Sequence, residues 1–422
     1  MSDSKPDLYS PVGLTQALVR IPSQNPLQSE AACAAFVADW FRGLGVEPLV
    51  EDAVPGRPNV VVRLPGSSRG APALAYLAHM DTVPAGDGWT VDPFGGEVDG
   101  GRLYGRGAAD MKSGLAATML ALKRVLDNGI RPRRDFLVCA TVDEEGAQMY
   151  GAVRLVEQGL LSKDTLLVAS EPTGLDLVVA QKGVMWYRVD TYGKMAHAGT
   201  PEVGADAMHG LAEVVVALKQ AFAELPYDHP ILGRASVTIG QAAAGRKTNV
   251  VPDHAWAEID TRLVPPLATA EATALVRAVV QEAAARVPGV KGTVEVVTIN
   301  RPPVELHADS PLSQAFDEVC RAVVGRPVRR SGFPAYTDAA IAAAMTGNPN
   351  CALFGPGHLR QAHTTDEYVP VAEIALAVEV LSRVAELLPN PWILLLVESP
   401  ELARRGFSSR PEVWWHGQRL VR

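Results

Sequence analysis

The sequence predicts an α/β protein: a larger domain on a mostly parallel sheet with helices on both faces, and a smaller α+β sandwich inserted into it. Three observations predict this. Apolar strands alternate with helical patterns from about residue 59 to residue 170, as in proteins that layer helices on a parallel sheet. After Gly183 the pattern changes to longer strands accompanied by two helices. From Pro302 the first pattern returns.

The runs NVVVRL (59–64) and ALAYLAH (73–79) read as buried strands. Residues 111–128 carry apolar side chains at helical spacing and stop at Gly129. A strand at 135–142, a helix around 149–158 and a strand at 165–170 follow. In the inserted unit, strands at 184–193, 235–241, 254–264 and 293–299 accompany helices at 205–225 and 269–287. That set makes one sheet under one helical layer. A helix at 311–324, a strand at 350–354 and a helix near 371–388 complete the larger domain. The expected division is 1–182 with 299–388, an insertion at 183–298, and a C-terminal extension at 389–422 of unknown role.

The 422 residues carry 39 basic and 47 acidic side chains, a formal charge of −8, which disfavours nucleic acid and anionic membrane as partners. The four cysteines are far apart and form no metal-knuckle or redox pair. The first residues, MSDSKPDLYS, lack the apolar core of a signal peptide, and no apolar run approaches the ~20 residues of a membrane span. A cytoplasmic location is expected.

Histidine and carboxylate residues collect at the carboxyl ends of the expected strands. These are His79 and Asp81, then Glu144 and Glu145, then Glu171, with Asp110 before a helix and His363 after the turn GPG. Open α/β sheets bind ligands at that edge. Imidazole and carboxylate together are ligands for divalent first-row metals. A single strand-end Asp is an ordinary turn or helix cap, so it is the constellation that carries the metal reading. His79 and Asp81 are two apart and project to one side of a strand, which suits an Asp that orients a ligating imidazole. Adjacent Glu144 and Glu145 point in different directions, so one can bind metal while the other reaches water. Two decoys fall away. Gly66–Gly70 fits G-x-S-x-G, but a strand follows it where a helix is required, and it reads as a hairpin-like loop. Gly105-Arg106-Gly107 lacks the third glycine of a dinucleotide loop.

The segments HMDTVPAGDGW (79–89), LYGRGAADMKSG (103–114), DEEGA (143–147), SEPTG (170–174), KMAHAGTPEVGADA (194–207), NVVPDHAWAEIDTR (249–262) and FGPG…AHTTDEYV (354–369) together resemble the co-catalytic di-zinc amidohydrolases. That family includes acetylornithine deacetylase, succinyl-diaminopimelate desuccinylase, aminoacylase and glutamate carboxypeptidase. The resemblance spans about residues 10–388. It implies that His79 and Glu171 bind one ion, that Glu145 and His363 bind the other, and that Asp110 bridges them. Asp81 would orient His79, and Glu144 would be the general base. The insertion would be a lid that forms a homodimer, with His197 as oxyanion donor. Asn249, Arg262 and Thr337 would contact substrate. The implied cofactors are two divalent ions, zinc first, with cobalt or manganese as alternatives. The implied reaction is hydrolysis of an N-acyl amino acid by a water between the ions. The alternative is a carboxypeptidase or dipeptidase that releases a C-terminal amino acid.

Overall fold

The computed structural model describes residues 6–68, 73–146 and 148–388, and a short backbone ribbon pairing Trp414–Trp415 with Gln418–Arg419. The rest of the expected extension, and Arg69 and Gly70 of the G-x-S-x-G match, lie outside the described residues.

Four parallel strands form the middle of the large sheet, in the order Phe136–Thr141, Leu74–His79, Leu166–Ala169 and Cys351–Leu353. Both flanks join the middle through antiparallel pairs, and Arg330–Phe333 adds a parallel pair to Leu177–Gln181. Leu49–Val54 and Arg57–Leu64 lie on one side, Leu177–Gln181 and Val304–Glu305 on the other. Arg57–Leu64 and Leu74–His79 are separated by Phe136–Thr141, so the Gly66–Ser68 loop closes no hairpin.

Alternation along Leu74–His79 explains the layering. Leu74, Tyr76 and Ala78 face one apolar cluster, shared with the helices Pro11–Val19, Ala31–Gly43, Ser113–Asp127, Pro311–Val324 and Val371–Leu387. Ala75 and Leu77 face the other, shared with the helices Tyr150–Glu157 and Asp338–Thr346. Each fully buried Leu or Val contributes roughly 1.5–3 kcal/mol, which is why strands buried on both faces are continuous apolar runs. Tyr76 is the exception in type, and its buried hydroxyl donates to the Leu381 carbonyl at 2.8 Å. The chemistry-bearing edge is held close by a glycine. A Cβ on Gly114 would lie 1.9 Å from the Ser170 carbonyl, so the helix Ser113–Asp127 can press on the end of Leu166–Ala169 only without a side chain there.

The chain passes from Leu177–Gln181 directly into Gly183–Tyr192 of a second sheet, ordered Ser236–Ala244, His254–Leu263, Gly183–Tyr192, Lys291–Val296 and antiparallel throughout. The helices Ala207–Glu224 and Thr269–Ala284 cover one face of it around Tyr187, Val189, Ile259, Val276 and Phe222. The other face carries Trp186, Arg188, Asp190 and Tyr192 in register with Asp260, Glu258, Trp256 and His254. All four cysteines are unpaired and buried. Among the described residues, no helix is long and apolar enough to cross a membrane.

Candidate metal centre

The parallel register brings the strand ends together. His79 pairs with Thr141, and Ala169 pairs with Leu77 on one side and Leu353 on the other. The residues that follow these ends therefore emerge along one edge, as expected for an α/β site.

His79 is buried. Its Nδ1 lies 2.9 Å from the Asp81 carbonyl and 3.5 Å from Asp81 Oδ1, which leaves Nε2 as the atom turned to the site. That Nε2 is 3.1 Å from Asp110 Oδ1 and 3.9 Å from Glu144 Oε2. The second oxygen of Asp110, Oδ2, is 3.5 Å from His363 Nε2, and that nitrogen is 2.9 Å from Glu145 Oε1. Asp110 thus offers one oxygen to each of two histidines. Donor atoms of His79, Asp110 and Glu171 lie within 4.8 Å of one another, as do those of Asp110, Glu145 and His363, and those of His79, Glu144 and Glu145.

The charge balance fits added cations. Glu171 is buried and its Oε1 has no hydrogen-bond partner. Burial, then the neighbouring Glu171 and Glu145 carboxylates, push Glu144 well above the usual carboxylate range. Burial and Asp110 do the same to Glu171. Burial opposes charge on His79, yet Glu144, Asp110, Asp81 and Glu171 outweigh it and hold its pKa well above the ordinary imidazole value. A metal-free cluster that gathers protons in this way is one that divalent ions would discharge.

Two supports have no counterpart in the sequence reading. Glu367 is fully buried and grips the turn that carries Asp110. Its Oε1 accepts the N–H groups of Ala109 and Asp110 at 2.9 and 3.0 Å, and its Oε2 accepts Gly107 N–H at 3.2 Å and Arg106 Nη1 at 2.5 Å. Asp338 is buried beneath the edge, with Oδ2 2.5 Å from Thr141 Oγ1 and Oδ1 lacking a partner. Burial pushes its carboxyl up to about 7.

The other expected residues have their hydrogen-bond partners outside this cluster. His197 is exposed on the short strand Ala196–His197, and its Nδ1 accepts Gly199 N–H at 3.0 Å. Asn249 neighbours it, its carbonyl accepting Ala198 N–H at 3.1 Å. Arg262 is held by Asp260 through two bonds of 2.7 and 2.9 Å, while its Nη1 reaches the Pro334 carbonyl at 3.3 Å. Thr337 has its hydroxyl engaged. It donates to Gln181 Oε1 at 2.9 Å and accepts Ala340 N–H at 3.3 Å as a helix cap.

The profile of peptidase family M20/M25/M40 matches residues 75–387. The chain belongs to this family. A probable succinyl-diaminopimelate desuccinylase of Staphylococcus aureus is 27% identical to this M20-family chain over 401 residues, covering 88% of it and 98% of the relative. Among solved structures, a Staphylococcus aureus tripeptidase superposes with a TM-score of 0.74 at 22% identity, over 92% of this chain and all of the other. The Bacillus subtilis YXEP protein, a dinuclear metal binding M20 peptidase, gives 0.68 at 17% identity over 90% and 97% of the two chains. This M20-family chain is a metal-dependent hydrolase of amide bonds.

Proposed function

We propose that the protein removes an acyl group from an N-acyl amino acid, with Glu144 as general base. The observation that carries the reading is Asp110 standing between His79 and His363 with a separate oxygen toward each. His79 and Glu171 would hold one divalent ion, Glu145 and His363 the other, and Asp110 both. Zinc suits this donor set, with cobalt or manganese as alternatives. The ions would supply an acidified water and a polarised amide carbonyl.

The chain's own groups do the rest. Asp81 holds His79 so that Nε2 faces the site. Glu144 takes the water's proton and returns it to the departing amine, as base and then acid. Arg262, pre-oriented by Asp260, pairs with the substrate carboxylate, and Asn249 adds a hydrogen bond. His197 donates to the oxyanion as charge develops. Its exposed position suits a donor supplied by a second copy of the chain, so the working form is a homodimer through residues 183–298, the lid. Thr337 donates its hydroxyl to Gln181 and accepts Ala340 N–H, which leaves one lone pair to accept from the substrate. The four unpaired cysteines suit a reducing cytoplasm.

The test is metal analysis joined to a substrate panel. Two ions per chain are expected, together with turnover of N-acetylornithine or N-succinyl-diaminopimelate and none of dipeptides. Turnover of dipeptides alone would replace the deacylase reading with a dipeptidase. Glu144→Gln should abolish hydrolysis with both ions retained. His197→Ala should lower turnover strongly at unchanged metal content.

A further inference from the structure

The matched span begins at residue 75, yet three residues before it reach the turn that carries Glu144 and Glu145. The segment Ser23–Asn25 runs beside Met80–Thr82. Ser23 Oγ donates to the Met80 carbonyl at 2.6 Å, and Asn25 N–H donates to the Thr82 carbonyl at 2.8 Å. This places the Asn25 amide between two carboxylates. Its Nδ2 donates to Asp81 Oδ2 at 2.9 Å and to Asp143 Oδ1 at 3.0 Å. One amide group has two hydrogens, and each goes to a different acid.

The same Asp143 oxygen takes a second donor. Arg57 Nη1 donates to its Oδ1 at 2.7 Å. The remaining nitrogens of Arg57 clasp the fully buried Glu30, with Nε on Oε2 at 2.8 Å and Nη2 on Oε1. Glu30 Oε1 in turn accepts Asp143 N–H at 3.1 Å. The grip has a reason, since Asp143 has φ of 64°, in the left-handed region that costs a non-glycine residue about 1 kcal/mol or more. Side chain and main chain of Asp143 are thus both fixed, and the next residue is Glu144. Among the described residues, no hydrogen bond reaches the Glu144 carboxylate, and His79 Nε2 lies 3.9 Å from its Oε2. Its aim is therefore set by the backbone that carries it.

We propose that Asn25 and Arg57 are positioning residues for Glu144, acting through Asp143. The proposal rests on Glu144 being the base. Neither residue belongs to the proposed ligand set, and their side chains bond Asp81, Asp143 and Glu30.

The test is Asn25→Ala and Arg57→Lys in the metal-loaded full chain, assayed with whichever amide of the panel the wild type hydrolyses fastest. The expected result is a kcat lower by about 10–100-fold for Asn25→Ala and by a smaller factor for Arg57→Lys. KM should stay within about threefold, and both ions should be retained. Wild-type kcat in a folded variant overturns the proposal, and so does loss of metal in step with activity. If one variant fails to fold, the other decides. Glu144→Gln separates the two ideas. An active Glu144→Gln removes the base itself, whereas an inactive one beside a fully active Asn25→Ala removes only the positioning.

Discussion

The main-chain N–H of Glu144 donates to Asp81 Oδ1 at 3.2 Å. Asp81 Oδ2 receives the N–H of Glu145 at the same distance, so one buried carboxylate ties the His79 strand to the turn bearing both glutamates. Burial alone would raise the Asp81 pKa, but His79, Asn25 and the Glu145 N–H reverse this and hold it below the usual range. An amide in its place would aim an NH2 group at N–H donors. Asp81→Asn is expected to lower activity by about 10–100-fold and to weaken metal binding, read by steady-state kinetics and metal titration.

Glu367 acts on the loop that carries Asp110. Through Ala109 and Asp110 N–H it sets where the Asp110 carboxylate stands, and it lies four residues beyond His363. Glu367→Gln would set an amide NH2 against Arg106 and Gly107 N–H. We expect the second equivalent of metal to bind about 10–100-fold more weakly, measured by calorimetric titration of the apo protein. Unchanged titration would show that the loop holds itself.

Removing metal should destabilise the fold, because the carboxylates gathered at this edge would lose their counter-charge. Chelation is expected to lower Tm, and adding zinc back should restore it. With ion at 100–1,000 times its Kd, binding contributes roughly 3–4 kcal/mol. An unchanged Tm would contradict the metal reading.

Asp338 gives a pH prediction. Its folded pKa, about 7, is above the ordinary aspartate value of 3.8, so the folded chain binds a proton that the unfolded chain has released. Its contribution to stability is full below about pH 4 and is lost as pH rises through about 7. In chelated protein, Asp338→Asn should flatten the fall of stability with pH in that window by about one proton, roughly 1.4 kcal/mol per pH unit. Denaturant titrations at pH 5, 6 and 7 would show it.

The metal-binding candidates were readable because each sits in a short motif at a strand end, where local pattern and position coincide. The strands and the longer helices were readable from periodicity, and the helix at 311–324 matches its expected bounds. The supports were not. Asn25 and Asp143 are 118 positions apart, and their contact exists only once the sheet has formed. Glu367 lies inside the quoted HTTDEYV segment, but it acts by accepting main-chain N–H groups, which leave no trace in neighbouring side chains. The helices Pro11–Val19 and Ala31–Gly43 went unforeseen because they are apolar nearly throughout, so few polar residues mark a helical period, and the antiparallel direction of the sheet's flanks depends on pairings that form only in the folded sheet.

Burial of every native thiol makes the molecule a blank surface for chemistry. Burial pushes Cys139 and Cys351 up to about 12 and Cys320 to about 11, and raises Cys33, so maleimides should leave the folded protein unmarked. A cysteine introduced at exposed Val216 on the helix Ala207–Glu224, paired with one at exposed Met345 on the helix Asp338–Thr346, would then be the sole attachment points for a pair of dyes. The native protein is in this way ready to serve as its own ruler.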